Sequence, residues 1–496
     1  MNALPPSGRR KLRAGVARGV ITPPVGIRML GYTIQDECSR SVQEDLTATA
    51  LVLTDDETTL AIVACDILHI QDPHCLRIRE HIAALTPIPA AHVLLNFSHT
   101  HLGPMLPGWQ PEEGAQAVLQ TRYLEFLTEA LAGIVSAAYD TLAPARIASG
   151  RGSAPLGINR REKLADGRVI IGENPKGAID RTVDVIRIDN LEGRSRAILA
   201  SAAAHTIVLG PRTTMLSPDF VGPARRIVEP ATGAPLLFLQ GAAGNINPAC
   251  GIGAGGPEQF DDQSRLGAIL GGEVLKTWAQ IRTHNRQGPR RIVQSVATLS
   301  TWNYEPLPEE CVESLAVDRR RLVLDMAPLP DRGQVMATLE RYRRERDAVY
   351  ADPSVSPGRR HVADRMQQWA QLVADTLARG ENPPRKEIEI WAARINDIAI
   401  ATVSAEPLAE LGLEVKRRSP AGHTLFLGYS NGCIGYIPPP SAFDEGGMEV
   451  VESTWNYHLP SQLTRACGPT VVDTALELLA GLGSTVRWPS TIGNTP

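Results

Sequence analysis

The chain lacks any apolar run approaching the roughly eighteen residues of a membrane span. It also lacks an apolar h-region behind Arg9, Arg10, Lys11 and Arg13, so these basic residues do not form an export signal. No C-x-x-C pair occurs. The seven cysteines (Cys38, Cys65, Cys75, Cys250, Cys311, Cys433 and Cys467) are odd in number and scattered, which fits reduced thiols better than a disulfide framework or a cysteine zinc site. There is no marked charge excess: the net charge of −4 argues against nucleic acid or an anionic membrane surface as the main partner. Internal repeats and low-complexity tracts are not evident. These absences lead to the expectation of a soluble, cytoplasmic globular protein whose partner is a small molecule. A homo-oligomer is compatible with the sequence but not required by it.

The 496 residues suffice for two domains or for one large layered structure. The expectation is a single α/β catalytic domain over 1–496, with a mixed multi-strand sheet core covered by helices. Strands are expected at 47–54 and 60–66, from Leu94 to an end at His99, then at 183–188, 197–204, 235–240, 386–393, 397–403 and 424–429. Helices are expected at 73–85, 115–139 and 471–482. Between about 308 and 384 the chain becomes Arg-rich. Asp318-Arg319-Arg320-Arg321, Arg341 to Arg346 and His361 to Leu377 read as solvated helices of an insertion.

Leu94-Leu95-Asn96-Phe97-Ser98-His99-Thr100-His101-Leu102-Gly103-Pro104 carries the most chemistry. In an extended segment His99 and His101 share a face. At a strand end they would enter the same space, and neutral imidazole is a common zinc ligand. Other strands also end in candidate groups. His205 follows the run to Ala204, Glu406 follows 397–403, and Tyr436 lies in the loop after 424–429. Pro235 to Gln240 opens into Gly241-Ala242-Ala243-Gly244-Asn245-Ile246-Asn247-Pro248, small residues that let backbone approach a ligand. Taken singly, His205 reads as a buried core histidine, Glu406 as a helix N-terminal acid and Tyr436 as a core aromatic. Their shared position at strand ends points to one site.

The sequence resembles the catalytic domain of the neutral, non-lysosomal ceramidase family. The resemblance rests on Ile21-Thr22-Pro23-Pro24 with Gly31-Tyr32, on Ser98-His99-Thr100-His101-x-Gly103-Pro104, on His205, and on Ser217-x-Asp219-Phe220-x-Gly222. It continues through Gln240 to Pro248, Glu406, and Gly428-Tyr429-Ser430-Asn431-Gly432 with Gly435-Tyr436-Ile437-Pro438. It implies one zinc ion on His99, His205, Glu406 and Tyr436, with His101 beside the metal. Two departures stand out: Asn247 occupies the place of the family's assisting serine, and the chain to Pro496 leaves no room for the family's C-terminal β-sandwich domain.

The implied activity is zinc-dependent cleavage of an amide in a soluble small molecule. His101 is expected to move a proton or stabilise an oxyanion. Asn247 and the backbone N–H groups of Gly244 to Asn247 are expected to complete an oxyanion hole. Gly244, Asn245 and Asp219 are candidate substrate contacts. Arg160 would orient a polar substrate group or form a surface ion pair. Asp66 and Asp219 would fix histidine tautomers or cap turns. Esters or lactones as substrates, and a non-catalytic binding role, remain the alternatives.

Overall fold

The computed structural model describes residues 12–32, 38–109, 113–283, 287–306 and 314–483. The basic residues Arg9 to Lys11, Cys311 and the first residues of the expected insertion lie outside these. The other six cysteines are free thiols.

Three sheets carry the fold, and all three are built alike. In the first unit, strands Arg13–Val20, Thr47–Thr54 and Thr59–Cys65 run antiparallel in succession. Helix Asp72–Leu85 then returns the chain to a strand, Val93–Phe97, parallel to Thr59–Cys65. The second unit repeats this order with Arg146–Ser153, Thr182–Asp189, Ser195–Ala202, helix Val221–Thr232 and the parallel strand Leu236–Gln240. The third does so with Leu315–Asp325, Arg385–Ile395, Ile398–Val403, helix Ala409–Arg418 and His423–Leu427. A second helix follows each parallel strand: Gly114–Asp140, Glu258–Gln280 and Cys467–Gly481. The α/β expectation holds, with three mixed sheets in place of one.

Period-two alternation decides which face meets what. Ala61 and Val63 face helix residues Ile78, Ile82 and Leu131, while Leu60 and Ile62 face the opposite way. Inward residues of all three sheets share one core, among them Leu51, Ile62, Ile186, Leu199, Trp391 and Ile400. The helix pairs cover the outer faces of the second and third units in the same manner. Each sheet is thus buried on both faces, which explains the near-continuous apolar runs in its parallel strands.

This arrangement places the carboxyl ends of the three parallel pairs together. Isolated bridges join Asn96 to Ser430 and Gly241 to Leu427. Asn96 acts as a buried clamp: its Nδ2 donates to Gly428 O and Ser430 Oγ at 3.0 Å, and its Oδ1 accepts from Gln240 N at 2.8 Å.

The segment between the first and second strand of each unit is variable. It contains a short strand Met29–Leu30 in the first unit, the hairpin Gly157–Lys163 and Val169–Asn174 in the second, and the helices Arg332–Ala351 and Pro357–Ala378 in the third. The expected helical insertion therefore needs correcting at its start, where Asp318 to Arg321 belongs to an edge strand. Its arginines face acids across the sheet or on a helix: Arg319 pairs with Glu389, Arg321 with Glu387 and Arg320 with Glu477. A charged outer strand of this kind resists edge-to-edge association.

A buried charge cluster ties the second unit to the third. Asp184 accepts from Lys416 Nζ at 2.7 Å and from Arg151 Nε at 2.9 Å, and pairs with His423 Nε2 at 2.9 Å. Burial alone would raise the Asp184 pKa, but Lys416, His423 and Arg151 outweigh it and hold the carboxyl well below its usual range. A depressed folded-state pKa gives stability that is present above the unfolded value near 4 and lost as pH falls below it. Asp184→Asn should therefore be less stable than wild type at pH 7, and the gap should shrink by about 1 kcal/mol by pH 3. Urea unfolding at both pH values checks this, and a gap independent of pH would contradict it.

Candidate metal centre

His99 lies past the end of strand Val93–Phe97, with φ of 63°, in the left-handed region. The expectation that an extended backbone aligns His99 with His101 is therefore corrected: the left-handed His99 and the turn at 101–102 bring the rings together, 4.9 Å apart at their centroids. His205, beyond Ser195–Ala202, lies 4.9 Å from His99 and 5.8 Å from His101. Nitrogens of the three imidazoles fall within 4.8 Å of one another. Glu406 arrives from the third unit. Its Oε2 is 3.4 Å from His99 Nε2 and 3.6 Å from His205 Nε2.

The orientation of each ring follows from the backbone. His99 Nδ1 bonds the carbonyl of Leu68 at 3.0 Å, and His205 Nδ1 bonds that of Ala243 at 2.8 Å. Each Nδ1 must donate, so each Nε2 presents its lone pair toward Glu406. Burial pushes the His99 pKa down to about 3 and lowers those of His101 and His205. For Glu406, burial favours the neutral acid, while positive charge within the imidazole cluster and the Tyr457 hydrogen bond lower its pKa and favour the carboxylate. Two neutral imidazoles and one carboxylate are a typical zinc donor set. Atoms bound tetrahedrally at about 2.0–2.1 Å would stand roughly 3.3–3.4 Å apart, close to the spacings found here. Both ring nitrogens of His101 are buried without a hydrogen-bond partner among the described residues. Such a buried polar group calls for an ion, water or ligand. The residues present fit a zinc ion.

Two phenols hold Glu406 from behind. Tyr429 donates to Oε2 at 3.2 Å and Tyr457 to Oε1. Tyr457 carries no signal of its own in the sequence, although the run Trp455-Asn456-Tyr457-His458 is unusually rich in site-forming types. Tyr436 lines the cavity and accepts from Arg160 Nη2 at 3.0 Å. Burial, with the Glu406 charge, keeps its phenol protonated despite Arg160.

Arg160 is buried, not at the surface. Its Nε donates to Glu449 at 2.9 Å, and its Nη1 lies 3.4 Å from both Asn247 Oδ1 and His205 Nε2. It pins Asn247, which lines the same cavity of about 210 Å³ as His99, His101, Tyr436 and Tyr457.

Four other candidates fall elsewhere. Gly244 packs its backbone against the third unit, donating its N–H to Pro407 O at 3.0 Å. A Cβ there would stand 2.8 Å from Glu406 O, so the glycine serves close approach. The Ile246 N–H is spent on Ala243 O, so the expected backbone oxyanion hole over 244–247 loses two of its donors. Asn245 accepts from Ala409 N at 2.9 Å and donates to Glu410 at 3.0 Å, holding the start of helix Ala409–Arg418. Asp219 accepts the N–H groups of Leu209 and Phe220 at 2.9 and 2.7 Å. Asp66 is paired with Arg225. Backbone carbonyls, those of Leu68 and Ala243, and not these acids therefore set the histidine tautomers.

No protein-family model matches the chain, and no curated protein matches it by sequence. Solved structures do. The neutral ceramidase from Pseudomonas aeruginosa aligns with 97% of this chain and 76% of its own, at 19% identity and a TM-score of 0.65. A ceramidase complexed with C2 aligns with 97% of this chain and 77% of its own, at 16% identity and a TM-score of 0.68. The chain has the neutral-ceramidase fold. Within this ceramidase-like fold, His99, His205 and Glu406 stand at the meeting point of the three units. No described helix is long and apolar enough to cross a membrane.

Proposed function

We propose that the protein is a zinc-dependent amide hydrolase acting on a small N-acyl compound, with its single catalytic domain spanning the chain. The observation that carries this reading is the approach of His99 Nε2 and His205 Nε2 to one Glu406 oxygen, in a fold similar to that of solved ceramidases. His99, His205 and Glu406 would hold the ion, with Tyr436 on its fourth side. Zinc at such a site polarises a carbonyl and lowers the pKa of its water to near neutrality.

The chain's own residues supply the rest. Hydrolysis adds water across the C–N bond, placing oxygen on the acyl carbon and a proton on the departing amine. His101, neutral and without a hydrogen-bond partner among the described residues, is the group to accept the water proton and return it to that amine. Arg160 engages Asn247 through Oδ1, which leaves Nδ2 to donate toward the cavity and an oxyanion. Asn247 has no nucleophilic atom, so it serves here only as a donor. The Glu449 carboxylate and the Tyr436 oxygen keep Arg160 fixed.

The same apparatus would serve esters, which the amide panel must therefore include. The expected outcome is turnover of N-acyl amides, lost on chelation and restored by stoichiometric zinc. A faster rate on matched esters, or turnover indifferent to chelation, would reject the proposal.

A further inference from the structure

Arg365 stands at the cavity without a counter-charge among the described residues. Arg365, in helix Pro357–Ala378, lines the same cavity as His99 and His101 and is 3% exposed. Its Nη2 donates to the carbonyl of Asn456, and its guanidinium lies over the Trp109 ring, 5.3 Å from the centroid. Nε is buried with no hydrogen-bond partner among the described residues. No carboxylate pairs with it there either, in contrast to Arg160 and Arg161, which share Glu449. Burial lowers its pKa to about 10, so the charge persists at neutral pH. A buried, uncompensated guanidinium is costly to keep, and it recurs where an oxyanion is recognised.

The helix holds this side chain rigidly. His361, Arg365 and Trp369 are spaced at i, i+4 and i+8 and share one face. Trp369 Nε1 donates to Leu459 O at 2.8 Å, anchoring that face one turn beyond Arg365. His361 lines the cavity one turn before it. From Arg365 the path to the metal centre is short: Trp109 meets Tyr457 at 5.3 Å, and Tyr457 donates to Glu406.

We infer that Arg365 is a specificity-determining residue, and that the substrate is an N-acyl compound bearing an oxyanion that docks on this guanidinium. The inference rests on the hydrolase reading above and adds a substrate class to it: a charged, compact molecule. The remaining wall, with Met29, Leu30, Met105 and Ile207, suits a short acyl chain.

The test uses four amides: N-butyrylglycine and N-ethylsuccinamic acid, with a carboxylate on the amine or the acyl side, N-butyryl-phosphoethanolamine, and neutral N-butyrylethylamine. Wild type should prefer at least one anionic compound over the neutral one by about 10- to 100-fold in kcat/KM. Arg365→Gln should reduce that ratio to within about threefold of one, chiefly through KM, because a charge-assisted bond to a part of the substrate away from the reaction is lost. Arg365→Lys should keep part of the preference, since it keeps the charge. Equal turnover of all four compounds by wild type, or a preference that survives Arg365→Gln, overturns the inference. If wild type hydrolyses none of them, the hydrolase reading fails. Calorimetric titration with the same four then decides the subsite: anion-selective binding lost in Arg365→Gln supports it, and charge-blind or absent binding overturns it.

Discussion

Glu406→Gln is expected to leave the folded protein nearly free of zinc and to lower kcat/KM for amide hydrolysis by about 1000-fold or more. That exceeds the 10–100-fold typical of changes in groups that merely support a ligand. The carboxamide keeps the size of the side chain and one oxygen for Tyr457 or Tyr429, but it removes the negative charge that stands beside His99 and His205. Tyr457→Phe provides the internal scale, because it removes a hydrogen bond to the ligand and not the ligand. It should weaken zinc affinity by about 10–100-fold. Metal analysis of the purified variants, followed by zinc titration, gives both numbers. The imidazole trio His99, His101 and His205 is the competing donor set. If Glu406→Gln retained one zinc per chain while His101→Ala lost it, the carboxylate-based assignment would be wrong.

Asp66→Asn is expected to act on stability and not on the metal. Asp66 accepts from both terminal nitrogens of Arg225, at 2.5 and 2.9 Å, and from the Thr47 N–H and hydroxyl at 2.9 Å. Both partners of this fork are buried. Removing one charge strands the other, a change that costs about 3–5 kcal/mol. The bond joins the end of strand Thr59–Cys65 in the first unit to helix Val221–Thr232 in the second, so the loss falls on their docking. Urea unfolding should register the full deficit, with zinc content at 25 °C unchanged. Wild-type stability together with lost zinc would return Asp66 to the metal's surroundings.

Much of the framework was legible in the sequence because its parallel strands are buried on both faces and therefore read as uninterrupted apolar runs. Helices Gly114–Asp140 and Pro357–Ala378 were equally plain from their spacing. The strand Leu315–Asp325 was not: an edge strand whose arginines are matched by Glu387 and Glu389 has the composition of a solvated helix, and only the partner strand reveals the pairing. The threefold arrangement was hidden for a related reason. It is conserved in strand order while the connecting segments differ in length and type, so no periodic residue pattern marks it.

At the site, His99, His205 and Glu406 could be singled out because each follows an apolar strand directly. Asp66 likewise follows a strand and Asp219 leads into a helix, yet an arginine and two backbone amides claim them, contacts that no local pattern encodes. Tyr457 and Arg365 escaped notice because they stand on the rim, on segments with no strand leading to them.

The placement of the rim has a consequence of its own. Each unit diverts its chain at the same juncture, between its first and second strand, and each diversion contributes cavity wall: Tyr32 from one, Arg160 and Ile171 from another, His361 and Arg365 from the third. The presumed ligands, by contrast, sit at the opposite kind of junction, after the parallel strands. On the proposed function, most of the wall and the residues that would hold the ion thus lie in separate stretches of chain, with Arg160 reaching from a detour to Asn247. One detour could be exchanged for another of different length, and the scaffold would present the same chemistry to a different molecule.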